Sequence, residues 1–458
     1  MFAAFIKMLK IKELRAKLLF TAGIIIIVRF AANITCPGVS PAALKEYVET
    51  LSSAGGNNQL MQMLDIFSGG ALQNFAVATL GIMPYITASI IVQLLTPVIP
   101  SLEKLQREGD AGRQKISQYT RYLTLAVCAV QGAMAAMAMI DPTRLHMPAP
   151  TVPLVVGNHA MFIVMTVIVL TCATMVLTWL GEQITERGIG NGVSLIITIN
   201  IIARLPHAIK MLIDMAISGQ AGSNSFSPVK LLILLLIFVV VTAATILLSQ
   251  GMRRVPIQMV RKSVGSQIHG GTTYMPLKVN FAGVMPIIFA SALLQIPPIA
   301  VSFLPNNKFT VLFARLFEYN SFSYMIIYGL MILAFSYFWV ANQFNPIQIS
   351  ENLKKEGAYI PGIRPGTPTA EFLDHSMSRI TFAGSIFLMA LAIFPMVLST
   401  NFGVPPLVAQ FFGGTSLLIM VGVVLDTLTQ LESHLTMRNY DGFLKNGRLR
   451  GRRGGTAG

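Results

Sequence analysis

The chain has 458 residues, of which 53% are hydrophobic and only 12% charged, and its formal net charge is +15. This composition excludes an ordinary soluble domain, because the charge is confined to islands between long apolar runs. The positive charge favours attraction to anionic lipid, or binding of RNA or an acidic partner, and composition alone does not separate these.

Ten apolar runs are long enough to cross a bilayer as helices, a crossing that takes about 20 residues. Numbered as spans one to ten, they are Leu18–Ile34, Val77–Val98, Thr120–Ile140, Ala160–Leu180, Gly192–Leu205, Val229–Leu248, Phe281–Phe303, Tyr324–Phe344, Ile380–Leu398 and Thr415–Leu431. The fifth is short, and we expect it to take further length from Pro206–Ile217. The sequence therefore predicts an all-α membrane protein.

Lysine and arginine residues gather on one side of this predicted topology. They lie before span one, between spans two and three, after span six, around the loop after span eight, and in the tail. The intervening loops carry few, such as Lys45 and Arg204. Since loops rich in basic residues stay in the cytoplasm, both termini are predicted to be cytoplasmic, which fits an even number of spans.

The first outside segment runs from Cys36 to about residue 75 and ends in a mildly apolar stretch, residues 61–72, that is too short to span. Two structures fit this stretch equally well. One is a re-entrant segment lined by protein or water, and the other is an amphipathic helix on the outer surface.

Two inside loops carry structural signals. Gly251–Asn280 contains Gly265, a Gly-Gly pair and a Thr-Thr pair, which favour a strand-and-turn protrusion over a helix. In the loop after span eight, proline and glycine flank Arg364 on both sides and present its guanidinium at a tight bend. The simpler interpretation of Arg364 is a basic turn that satisfies the charge bias of inside loops.

No catalytic or cofactor-binding motif is visible. The Gly188–Gly192 run lacks the lysine of a phosphate-binding loop, and the six histidines are scattered without metal-ligand spacing. Cys36, Cys128 and Cys172 show no pairing or metal spacing, and we expect them to be small buried residues. The sequence predicts a conduit with no enzymatic activity, no cofactor and no metal.

Few ionisable residues lie inside the apolar runs. Arg29 is expected to snorkel or to pair with a neighbouring helix, and Asp426 lies near the cytoplasmic end of span ten. Asn200, Gln93 and Gln131 are suited to hydrogen bonds between helices. Ion-coupled carriers usually hold relays of Asp, Glu or His in their spans, so the scarcity argues against that class.

An internal repeat is the strongest indication of function. Gly81–Ser89 and Gly283–Ser291 have similar sequences, and Gln93 and Gln295 follow at equal distances from the first glycine of each segment. Repeated membrane helices interrupted by Pro and Gly are typical of a transport path between two halves of a protein. A ten-helix secondary transporter for a small solute, built on inverted repeats, is the alternative, and a structural scaffold is a third class.

Branched aliphatic residues recur at helical spacing in these spans. Ile82 and Ile86 are four apart, as are Val193 and Ile197, and Ile86 aligns with Ile288 under the repeat. Gathered at one depth, such side chains form a narrow waist that stays dry when empty. Taken singly, each is an ordinary membrane aliphatic.

Five sequence blocks, in order along essentially the whole chain, resemble the SecY family of protein-conducting channels. They are Phe67–Leu72 leading to Gly81–Ile86, Lys115–Tyr122, Gly181–Gly192, Gly362–Gly366 and Phe412–Ile419.

The resemblance implies ten transmembrane helices in two pseudo-symmetric inverted halves, residues 1–205 and 206–435, around a central hourglass pore, with a basic cytoplasmic tail at 436–458. It also implies a pore ring of Ile82, Ile86, Val193, Ile197, Ile288 and Ile419. A re-entrant plug helix at about 65–74 would include Asp65, Ile66, Phe67, Ser68, Gly69, Gly70, Ala71 and Leu72.

Two further sites follow from the resemblance. A lateral gate would open toward lipid at Thr87, Ile90, Gln93, Gln131, Ile296 and Pro297. Partner docking would use Arg253, Arg254, Arg261, Lys262 and Arg364.

The resemblance also implies partners and a location. The expected partners are SecE-like and SecG-like small membrane subunits, the SecA motor ATPase, the ribosome, signal peptides and nascent chains, and anionic phospholipid. The expected location is the bacterial cytoplasmic (inner) membrane.

Overall fold

The computed structural model describes residues 12–53, 68–142, 152–155, 157–217, 228–259, 262–264, 267–269, 272–302, 316–317, 321–402 and 404–446. The helices of its first half are α1 (Lys12–Ala31), α2 (Pro41–Ser53), α3 (Met83–Leu95), α4 (Pro100–Arg107), α5 (Asp110–Ile140), α6 (His159–Arg187) and α7 (Gly192–Ile217). Those of its second half are α8 (Pro228–Gln250), α9 (Met285–Ser302), α10 (Phe322–Gln343), α11 (Pro346–Lys355), α12 (Thr367–Phe402), α13 (Pro406–Phe411) and α14 (Gly414–Asn446).

Each of the ten predicted spans overlaps a helix, and spans two and seven begin with turns before their helices. Among the described residues, seven helices are long and apolar enough to cross a membrane, and α3 with α4 forms an eighth candidate, bent by 102°. Two spans fall outside these candidates. Span one corresponds to α1, which carries charge at both ends, and span seven corresponds to α9, a shorter apolar helix. As expected, α7 takes in Pro206 and continues to Ile217, so that Arg204 lies inside a helix and not in a loop.

Side chains along the helices sort by the surroundings that each face meets. Large apolar residues are exposed on the outer faces, for example Ile26 and Leu247, where lipid is the matching solvent. Threonines are buried between helices, and Thr124 and Thr178 donate their hydroxyl hydrogens to the carbonyl four residues earlier. These bonds satisfy the hydroxyls without any partner helix and let the neighbouring helices approach closely.

The two copies of the internal repeat share the same backbone conformation. Gly81 and Gly283 have φ of 55° and 63°, and each follows a series of turns and precedes a helix that begins two residues later. Glycine adopts this left-handed conformation without the steric cost that a side chain would add. Pro84 and Pro286 sit in the first turn of their helices, where the missing N–H leaves no helical bond unmade.

The loop after span eight joins the loop after span six in one small sheet. Strands β1 (Met252–Met259), β4 (Thr272–Lys278) and β5 (Ala358–Tyr359) lie in the order β4-β1-β5, all antiparallel. A separate hairpin pairs β2 (Lys262–Val264) with β3 (Gln267–His269). The predicted strand-and-turn protrusion is therefore confirmed.

The outer side of the first half has its own core. Cys36 packs there with Tyr47 of α2, with Phe75, and with Phe162 of α6. Burial raises the pKa of the Cys36 thiol. Cys36 and Cys128 are buried as expected, but Cys172 is exposed on the outer face of α6, so that expectation was wrong.

Candidate functional site

Six aliphatic side chains from both halves of the chain belong to one hydrophobic cluster. They are Ile82, Ile86, Val193, Ile197, Ile288 and Ile419. Four are buried, and Val193 and Ile288 are half-buried and pack against the same cluster. The residues predicted to form a waist therefore lie in one continuous core, and none of them carries a polar group.

Four helices bring these side chains together. Ile82 and Ile86 lie at the start of α3, Val193 and Ile197 on α7, and the remaining two on α9 and α14. Helix α3 contacts α9, and α7 contacts α14, so the two halves meet on both sides of the cluster. Gly190 N–H, just before α7, also donates to Gln430 Oε1 of α14 at 3.0 Å. Apolar side chains are also what a hydrophobic constriction that gates by dewetting is built from.

The segment before α3 is folded into the protein. Asp65, Ile66 and Phe67 lie outside the described residues, whereas 68–71 are buried and Leu72 is half-buried. After Ser68 the backbone forms turns up to α3 instead of a helix. Residues 68–76 therefore fit the re-entrant alternative and not a helix on the outer surface, because non-helical backbone at membrane depth needs protein around it.

Two arginines and an asparagine line this segment. Arg29 Nη1 of α1 donates to the Gly69 carbonyl oxygen at 3.0 Å and lies 3.5 Å from Asn200 Oδ1 of α7. Arg204, one turn further along α7, packs on Gly70. Of the two alternatives for Arg29, snorkelling or pairing with a neighbouring helix, the contact with Asn200 supports pairing. The contacts of Asn200 and Arg204 with residues 69 and 70 were not predicted.

The far end of the segment is tied to the end of α1 and the loop after it. Cys36 N–H donates to the Phe75 carbonyl at 2.9 Å, and Val77 N–H donates to that of Ile34 at 2.8 Å. Within the segment, the Thr79 hydroxyl donates to the Ala71 carbonyl at 3.1 Å. These bonds hold residues 75–79 in place as an anchor from which the preceding residues fold inward.

The predicted gate residues lie on α3, α5 and α9, and α3 contacts both of the other two helices. Thr87 donates to the Met83 carbonyl, Ile90 is buried, and Gln93 Nε2 donates to Ser89 Oγ at 3.0 Å. Among the described residues Gln93 Oε1 has no hydrogen-bond partner, and a buried polar atom in that condition destabilises the packing around it. Gln131 on α5 and Pro297 on α9 are half-buried, and the side chain of Ile296 lies outside the described part of the chain.

Three of the five predicted docking residues, Arg253, Arg254 and Arg364, lie on the small sheet or on the turn that follows β5. Arg253 and Arg254 are exposed on β1, and Arg364 is exposed in a turn whose backbone is fixed by the Thr369 hydroxyl, which donates to the Arg364 carbonyl at 2.8 Å. The Tyr359 hydroxyl donates to Gln258 Oε1 at 2.9 Å and joins the two loops. Arg261 and the side chain of Lys262 lie outside the described residues.

The SecY family model matches residues 76–428, which is most of the chain. The chain belongs to the SecY family. The protein translocase subunit SecY of Chlamydia muridarum is 42% identical over 451 residues, covering 97% of this chain and 98% of the relative. That of Streptomyces coelicolor is 43% identical and that of Thermotoga maritima 40%, over 97% and 99% of this chain and the full length of each relative.

Solved structures share the fold of this SecY-family chain. A protein conducting channel has a TM-score of 0.61 at 16% identity, and Sec61 in the canine ribosome-channel complex has 0.58 at 16%; each alignment covers 94% of both chains. The chain is a multi-pass membrane protein and a channel for polypeptides, and it is not an enzyme. The alternative of a small-solute transporter was wrong.

Proposed function

We propose that this chain is the channel-forming subunit of a Sec translocon in a bacterial inner membrane, with both termini in the cytoplasm. It passes unfolded secretory polypeptides across the membrane and releases hydrophobic segments sideways into lipid. The observation that carries this is the single cluster in which six aliphatic side chains from both halves meet. The two halves, residues 1–205 and 206–435, and the tail at 436–458 are those predicted from the sequence.

The six aliphatic residues act as the pore ring. At rest their side chains fill the passage, and the absence of polar groups on them makes hydration of the gap unfavourable. A polypeptide in transit displaces them by side-chain rotation, and they close around it. The segment at 65–74 acts as the plug, and its burial from Ser68 to Ala71 supports that role.

The seam between α3 and α9 acts as the lateral gate. Their contact at rest is apolar, as at Ile90, so an arriving hydrophobic helix replaces it at little cost. Thr87, Gln93, Gln131, Ile296 and Pro297 line the seam. Gln93 Oε1, unpaired in the closed packing, gains access to a partner when the seam parts.

The cations of the inside loops dock the cytoplasmic partners, and the described ones, Arg253, Arg254 and Arg364, are exposed. Arg253, Arg254, Arg261, Lys262 and Arg364 present positive charge to ribosomal RNA or to acidic groups of the SecA motor. Structures that share this fold include Sec61 in a ribosome-channel complex and a yeast Ssh1 complex bound to the 80S ribosome. SecE-like and SecG-like subunits and anionic phospholipid complete the set of partners.

Reconstitution tests the proposal. The chain is placed in vesicles with the two small subunits, and an unfolded preprotein is added with SecA and ATP. The expected result is ATP-dependent protection of the preprotein from external protease, and a matched preprotein without its signal stays accessible. Uptake of small solutes with no protection of preprotein would contradict the proposal.

A further inference from the structure

An arginine in a membrane span is costly unless it has partners, and the described residues include two for Arg29. Its Nη1 donates to the Gly69 carbonyl oxygen at 3.0 Å and lies 3.5 Å from Asn200 Oδ1. The first partner belongs to the plug and the second to α7, so one guanidinium connects α1, α7 and the plug. A hydrogen bond from a charged donor is about twice as strong as one between neutral groups.

The plug backbone lies flush against these side chains. A Cβ added to Gly69 would lie 2.5 Å from Arg29 Nη1 and 3.0 Å from Asn200 Cα, and one added to Gly70 would lie 2.9 Å from Arg204 Cζ. Both glycines also have positive φ, +67° and +95°. Space and backbone conformation therefore both demand glycine here, and the fit brings the Gly69 carbonyl within reach of Arg29.

The side chains of Arg29, Asn200 and Arg204 form a cradle around Gly69 and Gly70. This cradle and the anchor of the plug are in the same half of the chain. Arg29 and Asn200 lie on α1 and α7, which contact each other. The anchor bonds from Cys36 to Phe75 and from Val77 to Ile34 also stay within this half. Parting the seam between α3 and α9 leaves these groups together. The Arg29–Gly69 bond must therefore break in a separate step before the plug leaves.

We propose that Arg29, oriented by Asn200, is a latch that holds the plug closed and sets how strong a signal must be to open the channel. The inference rests on the function proposed above and adds residues that decide its stringency. Arg29 is a positioning residue, because it holds the plug in place and the plug closes the passage. Loss of one charge-assisted bond raises the fraction of unplugged channels by about tenfold to a hundredfold.

The test uses reconstituted full-length channel complexes and two readouts. One is resting ion conductance, and the other is export of a preprotein whose signal has a shortened apolar core. Arg29→Met keeps an unbranched stem and removes the donors, whereas Arg29→Lys keeps charge and one donor group. Arg15→Met removes an exposed arginine from the same helix, far from the plug, and serves as the matched control.

The expected result for Arg29→Met is a resting conductance raised about tenfold or more and efficient export of the weak-signal preprotein. Arg29→Lys restores much of the closure, Gly69→Ala resembles Arg29→Met, and Arg15→Met resembles the unmodified chain. A merely structural role for Arg29 would lower export and leave stringency unchanged, and that outcome would overturn the latch.

The latch and the channel function fail in different ways. If Arg29→Met closes as tightly as the unmodified chain while preprotein is still protected in the presence of SecA and ATP, the latch is wrong and the channel stands. If no variant and no unmodified complex protects preprotein, the proposed function itself is wrong. Asn200→Ala adds a further check, since it should raise conductance in the same direction by a smaller factor.

Discussion

Replacing Ile86 with asparagine perturbs the centre of the proposed pore ring. The Ile86 side chain is 8% exposed and packs in the cluster that joins both halves. Burial of such a side chain contributes about 1.5–3 kcal/mol, and an amide without partners in its place costs about 1–3 kcal/mol more. Taking about 3 kcal/mol in total, Ile86→Asn raises the hydrated, conducting fraction of resting channels roughly a hundredfold.

Resting ion flux through vesicles that hold the purified complex measures this change directly. Ile202→Asn is the control, because Ile202 lies on α7 with two ring residues but points outward and is 44% exposed. We expect a large rise in flux for Ile86→Asn and none for Ile202→Asn, with equal amounts of folded complex. Equal flux for Ile86→Asn and the unmodified chain would refute the assignment of this cluster as the seal.

Three further outcomes test other parts of the structure. Arg364→Glu reverses an exposed charge at a fixed turn, so we expect slower export with an unchanged melting temperature. Preprotein protection measures export, and thermal unfolding measures the melting temperature. A normal export rate would remove the docking role of Arg364. Phe289→Ala deletes a fully buried ring that packs edge-to-face against Phe335 and Trp339. It should lower the free energy of unfolding by about 3–5 kcal/mol, seen as a lower unfolding temperature. An unchanged unfolding temperature would contradict this packing. The raised pKa of Cys36 keeps its thiol protonated at neutral pH, so alkylation should be slow until the pH exceeds the usual thiol range, and rapid labelling at pH 7 would contradict its burial.

The helices were predictable because a bilayer demands long apolar runs, and all ten runs overlap helices. The protrusion after span six was predictable because its glycines and threonines favour turns and strands. The repeat aligned Ile86 with Ile288, because Gly-x-Met-Pro starts a helix in both halves with the same backbone geometry. The full set of six that shares one cluster came from the resemblance to the SecY family.

The cradle of the plug was not predictable from such patterns. Arg29 donates to a backbone carbonyl 40 residues away, and a backbone acceptor leaves no mark in the sequence. Arg204 was counted with an outside loop, yet it lies inside α7 and packs on Gly70. Cys172 was expected to be buried because it is small and apolar, but its face of α6 points away from the other helices.

The passage of a polypeptide between the two halves is tested most directly by cross-linking to a stalled chain. Ile86→Cys and Ile288→Cys are each made in the complex, a preprotein with one cysteine in its middle is stalled in transit, and disulfide formation is measured. Both positions should cross-link to the stalled chain, and Ile202→Cys on the outer face should not. A stalled, protease-protected chain that cross-links to neither ring position would contradict the account.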